Sequence, residues 1–417
     1  MTADREITTI WPGFMSALEP DASESTVAAA PPADITVEKP SSDLSATISA
    51  WSGQWFGWAD QGRRCDVRLI VEQLSRRTAT IVCARASADQ APYNERLLAQ
   101  IHGNELHGRL KSGATLHLRM RNPDVVELLW RELDGRWIAG VLAQLSAGGR
   151  RIVERVPTGM LEHGEQITLE MVTFKPDGRG PFPTLVFNHG STGIGNDPSL
   201  FTSTVTSPAL AKYFNDRGWM VAFPQRRGRG KSGGLYDEGF EPDRSRYSDD
   251  PRYALHGFER ALVDMECVAE HLFSRDDVDH ERLLIGGHSR GGFLALAFAG
   301  ARPELFSGVL NFVGGWVDEH GPASEMINPV IARRGATFPG PTVWLYAEND
   351  PFYSIAHSHK NFHAFEATGG RGQFHVLELL SGQDGHHILS LTGLWGPLVD
   401  DFLDRVDKWS RSSSTSN

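Results

Sequence analysis

The chain has 417 residues, of which 40% are hydrophobic and 22% charged, with a formal net charge of −11. This length and balance suit a soluble globular protein of two domains with a large core, and the negative charge disfavours a polyanionic partner and hence nucleic-acid binding. Three cysteines, Cys65, Cys83 and Cys267, are too few and too scattered for a disulfide framework or a zinc site and are expected to be buried free thiols.

The opening stretch, MTADREITTIWPGF, lacks a basic n-region and a continuous apolar core, so no secretory signal is read from it. No run reaches the roughly 18 apolar residues needed to span a bilayer. A cytoplasmic location without a membrane partner is the expectation. Residues 1–46 are rich in Ala, Pro, Ser, Asp and Glu and read as a disordered or loosely draped segment.

Residues 47–148 read as an all-β domain. Short runs such as CDVRLIVEQL, TATIVCAR, ATLHLRMR and RWIAGVLAQL are separated by turn signals at Gly103-Asn104, Ser112-Gly113, Asn122-Pro123 and Asp134-Gly135. Leu116, Leu118 and Met120 alternate with His117, Arg119 and Arg121, the period of a half-buried strand. About eight strands at this spacing predict a small antiparallel barrel or sandwich. The opening Trp51-x-Gly53-x-Trp55 resembles that of lipocalin-like barrels. Trp51, Trp55, Trp58, Trp130 and Trp137 are expected to offer apolar area for docking or for a homo-oligomer.

Residues 149–410 change texture. Apolar strands (ITLEMVTF, TLVFNHG, WMVAFP, LLIGGHS, VLNFVGG, TVWLYAEND, FHVLELL) alternate with helical runs, which predicts a doubly wound, mostly parallel α/β sheet covered on both faces. In such sheets, sites gather at the carboxyl ends of strands. Residues 411–417 read as a frayed tail.

Within this region Gly287-His288-Ser289-Arg290-Gly291 lies between an apolar strand and an apolar helix, which is G-x-S-x-G in the strand–turn–helix context a nucleophilic serine needs. The sharp turn lifts the hydroxyl above the sheet, and the helix N-terminus behind it favours an anion. At these residues the chain resembles the α/β-hydrolase superfamily, closest to its dienelactone-hydrolase and prolyl-oligopeptidase-like branches, over about Arg151 to Trp409. The resemblance implies an oxyanion hole made by the backbone N–H groups of Ser191, in the HG-x turn of TLVFNHGSTGIG, and of Arg290. His189 reads as a brace for that turn, and RGRGKSGG (Arg227 to Gly234) as a loop that shapes the site.

Asp350, in TVWLYAENDPFYS, follows the next apolar strand but one, and His386, in GQDGHHILS, follows the strand after that. The order Ser289, Asp350, His386 is the one this superfamily uses, so these are the expected nucleophile, acid and base. Glu348 competes for the acid, and His387 for the base. Asp350 is preferred for its N-D-P context, and His386 because it follows Gly385. His357, His359 and His363 have offsets that do not share one helical face, so no metal is expected there. No cofactor is expected. Trp316, Met326, Phe352 and Tyr353 are candidate walls of an apolar pocket, with Arg229 a candidate partner for a substrate carboxylate. The expected function is hydrolysis of small or medium carboxylic esters or lactones through an acyl-enzyme. A peptidase or amidase, or a non-catalytic binding protein on the same fold, are the alternatives.

Overall fold

In a computed structural model the chain divides into two compact units, residues 1–149 with 206–212, and residues 150–205 with 213–417. The structure describes residues 29–60, 64–87, 90–123, 125–146, 149–162, 164–202, 204–379 and 384–414. Most of the N-terminal segment and the end of the tail, both expected to be unstructured, thus lie outside the described residues.

The first unit is a closed antiparallel barrel in which each strand pairs with its sequence neighbour and the last closes on the first. Its strands are β1 (Gly53–Asp60), β2 (Arg64–Leu74), β3 (Thr78–Ser87), β4 (Gln90–His102), β5 (Glu105–Arg109), β6 (Thr115–Asn122), β7 (Val125–Arg131) and β8 (Trp137–Leu145), preceded by a short helix α1 (Ala46–Ser49). The interior is filled by alternate residues, among them Val67, Leu69 and Val71 of β2, Leu116 and Leu118 of β6, and Leu128 and Trp130 of β7. Trp51, Trp55 and Trp130 are at most 1% exposed and belong to this core. The expectation that they form a docking face is therefore corrected: large aromatics are what fills so narrow a barrel. Cys65 and Cys83 are buried as free thiols, as is Cys267 in the second unit.

Residues 29–45 are not loose. Ala29 is buried, and its N–H donates to Asp66 Oδ2 at 2.8 Å. Glu38 N–H pairs with the Glu72 carbonyl at 2.8 Å, and Arg96 bridges Asp34 and Glu72 at 3.1 and 2.7 Å. Composition signals poor core-forming ability, but a segment tied by charge to a neighbouring strand needs no core of its own.

The second unit holds β9 (Arg150–Glu162), β10 (Glu165–Lys175), β11 (Phe182–Asn188), β12 (Met220–Pro224), β13 (Val278–His288), β14 (Gly308–Phe312), β15 (Thr342–Ala347) and β16 (Gly372–Leu377). They form one sheet in the order β16-β15-β14-β13-β11-β12-β10-β9. The strands from β12 to β16 run parallel with β11, whereas β10 is antiparallel to both its neighbours. Strands β12, β14 and β15 are buried along their whole length, as a sheet covered on both faces requires. β9 lacks an apolar pattern because it is an edge, mostly exposed and dense in Arg and Glu, the composition that keeps an edge from pairing elsewhere.

The helices are α2 (Pro198–Phe201), α3 (Pro208–Asn215), α4 (Pro251–Phe273), α5 (Arg290–Ala301), α6 (Ser324–Arg334), α7 (Ile355–Glu366) and α8 (Thr392–Ser414). Asp250 caps α4 by accepting from Arg252 N–H, with Pro251 in the first turn, and Phe258, Ala261, Met265, Val268 and Leu272 form its buried stripe. α5 is apolar nearly all round because it packs on β11, β13 and β14 and against α4 and α6.

Candidate active site

Ser289 sits between β13 and α5 with φ 56° and ψ −124°, a conformation that side-chain-bearing residues rarely adopt. The glycines of the motif make this turn possible. A Cβ on Gly287 would lie 2.2 Å from the Gly291 carbonyl group, and one on Gly291 would lie 2.2 Å from the Asn188 carbonyl oxygen. The turn is held by Ser289 N–H donating to the Phe312 carbonyl at 2.9 Å, and Ser289 is 5% exposed.

Asp350 and His386 come together from two loops. His386 Nδ1 lies 2.9 Å from Asp350 Oδ2, while Asp350 Oδ1 accepts from the N–H groups of Phe352 and Tyr353 at 2.8 and 3.1 Å. The carboxylate side chain is fully buried, so its orientation is fixed from both ends. Gly385 is what lets the loops meet, because a Cβ there would lie 2.2 Å from the Glu348 carbonyl oxygen. Of the competing residues, Glu348 is exposed. His387 is 60% exposed beside Asp384, whose carboxylate accepts the His386 N–H at 2.8 Å.

The residue before the serine also acts on the base loop. His288 Nε2 lies 2.7 Å from the His386 carbonyl oxygen, and the two rings meet edge to face at 4.7 Å. Burial, with the nearby His386 charge, pushes the His288 imidazole down to about 3, so the neutral ring donates this hydrogen bond at any ordinary pH. Sequence reading had no signal for it, since the position is variable in the motif.

The turn after β11 lies over the serine: a Cβ on Gly190 would be 3.2 Å from Ser289 Cβ. His189 braces this turn, with Nδ1 at 2.7 Å from the Gly190 carbonyl and Nε2 accepting from Arg226 N–H at 3.2 Å. Ser191 is the next residue, and Arg290 is the first residue of α5, where an N–H has no i−4 carbonyl inside the helix. The Arg290 side chain is buried, donating to the Glu238 carbonyl at 2.6 Å and stacked between Tyr247 and Trp316, whose centroids lie 3.4 and 4.5 Å away.

The pocket candidates divide. Phe352 and Tyr353 stand beside the base, with centroids 4.7 and 5.9 Å from His386. Burial pushes the Tyr353 phenol well up, and the positive Arg290 pulls the other way. Trp316 is fully buried, its Nε1 donating to the Ala254 carbonyl at 2.9 Å, so it supports Arg290 from inside the fold. Met326 is 54% exposed on α6. Arg229 is a correction: its guanidinium is buried, donating to the Leu200 carbonyl at 3.1 Å over the Tyr236 ring, and is engaged inside the fold. His357 is bound to Asn328 at 2.9 Å, His359 stacks on Phe374, and His363 is exposed, so the three diverge.

Residues 253–318 match the model of the prolyl oligopeptidase family. An uncharacterized peptidase of Sinorhizobium fredii, y4sO, is 29% identical over 213 residues, which cover 48% of this chain and 27% of that relative. This match therefore spans about a quarter of the curated relative's length. Among solved structures, a putative dienelactone hydrolase of Klebsiella pneumoniae is similar at 17% identity, covering 61% of this chain and 99% of that one, with a TM-score of 0.41. The esterase Est1E of Butyrivibrio proteoclasticus, solved with ferulic acid, is similar at 14% identity over 61% and 99% of the two chains, TM-score 0.43. With its strand order, its antiparallel second strand and its serine elbow, the second unit has the fold of the α/β-hydrolase superfamily.

Proposed function

We propose that the chain is a serine hydrolase in which Ser289 is the nucleophile, His386 the base and Asp350 the acid that orients it, acting on carboxylic esters or lactones of small to medium size. The observation that carries this reading is the buried Asp350–His386 hydrogen bond at 2.9 Å, on loops that also touch the strained Ser289 elbow through His288. A serine hydroxyl attacks a carbonyl only if its proton is taken as the bond forms. His386 Nε2 takes that proton; Asp350 holds the Nδ1 proton and stabilises the imidazolium. The carbonyl oxygen becomes an oxyanion against Ser191 N–H and Arg290 N–H. The leaving alkoxide receives the proton from His386, and water, deprotonated by the same imidazole, releases the acid from Ser289.

A second reading, peptidase or amidase, is favoured by the match of residues 253–318 to the prolyl oligopeptidase model and by the curated relative named a peptidase. The test is a fluorophosphonate label, read by mass at Ser289, followed by a panel of p-nitrophenyl esters of rising acyl length, lactones and aminoacyl amides. Labelling with ester turnover above amide turnover supports the first reading, and the reverse order supports the second. Absence of both labelling and turnover would leave a binding protein as the surviving alternative.

A further inference from the structure

The proposed oxyanion donor Ser191 N–H shares one planar peptide with the Gly190 carbonyl, and in a trans peptide the two point in opposite directions. Whatever grips that carbonyl therefore aims the N–H. Two donors grip it: His189 Nδ1 at 2.7 Å and Arg226 Nη2 at 3.2 Å. Arg226 Nη1 holds the preceding carbonyl as well, that of His189, at 2.9 Å. The guanidinium is 2% exposed and is locked by Glu238, whose Oε1 accepts from Nε at 2.6 Å.

Glu238 belongs to the loop between β12 and α4, which touches Arg290 and the residue after Ser191. The Glu238 backbone carbonyl takes the Arg290 guanidinium, and Tyr247 supplies its ring to Arg290 and its hydroxyl to Thr192 N–H at 3.2 Å. A buried ion pair is a poor way to stabilise a fold, because desolvation offsets most of the Coulombic return and apolar replacement is often neutral or better. Packing alone does not account for charge at this place.

We propose that Arg226, held by Glu238, is a positioning residue that aims and polarises the Gly190–Ser191 peptide as an oxyanion donor. The inference rests on the acyl-transfer reading above. A cation on the carbonyl draws electron density through the peptide and makes its N–H a stronger donor. Because the arrangement is built before substrate arrives, it needs no reorganisation as negative charge develops.

The test uses the full chain and the variants Arg226→Met and Arg226→Lys, assayed with a p-nitrophenyl ester, with turnover counted per fluorophosphonate-titrated site. Inhibition by a trifluoromethyl ketone, which forms a tetrahedral adduct, is measured alongside. Arg226→Met is expected to lose about 10- to 100-fold in kcat with KM nearly unchanged, less than the ~10²–10³ that follows outright loss of a donor. Affinity for the ketone should fall by the same factor. Arg226→Lys keeps the charge but lacks the planar fork that reaches two carbonyls, so it should recover part of the loss. A merely structural role would lower the titre of active sites and leave kcat per site and ketone affinity alone. Unchanged per-site kcat and ketone affinity in both variants, or in Arg226→Lys if Arg226→Met does not fold, overturns the proposal. Failure of the acyl-transfer reading is distinct, since the wild type itself would then show neither label nor turnover.

Discussion

The two units treat backbone strain and buried charge in opposite ways. In the barrel, the positive-φ residues among those described are glycines, several of them in hairpin turns such as Gly103, Gly113 and Gly135. Its buried carboxylates answer partly exposed arginines: Glu127 takes Arg119 and Arg121, and Glu72 takes Arg96. Among the described residues of the second unit, four non-glycine residues have positive φ, and three of them, Ser289, Val313 and Asn349, follow the ends of β13, β14 and β15. Arg226, Glu238, Arg227 and Asp264 are buried there as pairs. Strained backbone and fully buried ion pairs thus gather in the unit that carries the proposed triad.

The sharpest way to break that contrast is Ser289→Ala. Loss of a triad nucleophile costs about 10⁴–10⁶ in kcat, so ester hydrolysis should vanish while the thermal unfolding curve keeps its midpoint. A variant retaining more than about a tenth of wild-type turnover would mean that the strained elbow serves something other than nucleophilic attack.

Nearly as large is the expected difference between two adjacent histidines. His386→Ala should lose on the order of 10⁴–10⁶ in kcat, whereas His387→Ala, whose ring is exposed beside Asp384, should stay within a few-fold of wild type. An inactive His387→Ala beside an active His386→Ala would exchange the two roles.

What made the barrel and the sheet legible was hydrophobic period. Leu116, Leu118 and Met120 alternate, LLIGG is continuously apolar, and both patterns report burial directly. The elbow and the proposed triad positions were legible because a tight turn needs glycine at fixed offsets and the acid and base loops follow apolar strands. The brace around them was not. Arg226 is buried but opens a basic run that reads only as a loop shaping the site, and His288 occupies a motif position where any side chain fits. Such residues are recruited by contacts far away in sequence, Glu238 for one and the His386 carbonyl for the other. The inward-facing tryptophans escaped for a related reason: composition says that a residue is apolar but not on which side of a closed sheet it lies.

A stability effect separates the units. Trp55 is 1% exposed in the barrel core, with its indole N–H on the Trp51 carbonyl at 3.0 Å. Trp55→Ala leaves a cavity and should cost about 3–5 kcal/mol, seen as an earlier urea transition. Under native conditions Ser289 should still take the fluorophosphonate at the wild-type rate. Labelling lost at the urea concentration where the barrel melts would show that the strained unit depends on the regular one for its own order.

The smallest effect concerns charge that the second unit uses for stability rather than chemistry. Glu154 on β9 accepts from Thr173 Oγ1 of β10 at 2.8 Å and pairs with Arg275, which also binds Asp277 at 2.9 Å, itself 2.7 Å from Lys175 Nζ. Burial raises the Glu154 carboxyl, but the His271 ring 3.8 Å away, hydrogen bonds from Thr173 and Arg275, and the Arg275 charge outweigh it and pull it down to about 2. Hydrogen bonding to Arg275 lowers Asp277 in the same way. A carboxyl held below its ordinary value of about 4.3 stabilises the fold above that pH. The contribution disappears as pH falls through the folded value of about 2, because both states are then protonated. Glu154→Gln should therefore unfold at a lower temperature than wild type at pH 7, by an amount on the order of 1 kcal/mol or less for so partly exposed a pair. The gap between the two melting curves should close between about pH 4 and 2. A gap that is absent at pH 7, or that persists undiminished at the acid end, would show that this network does not tie β9 to the sheet through ionised Glu154.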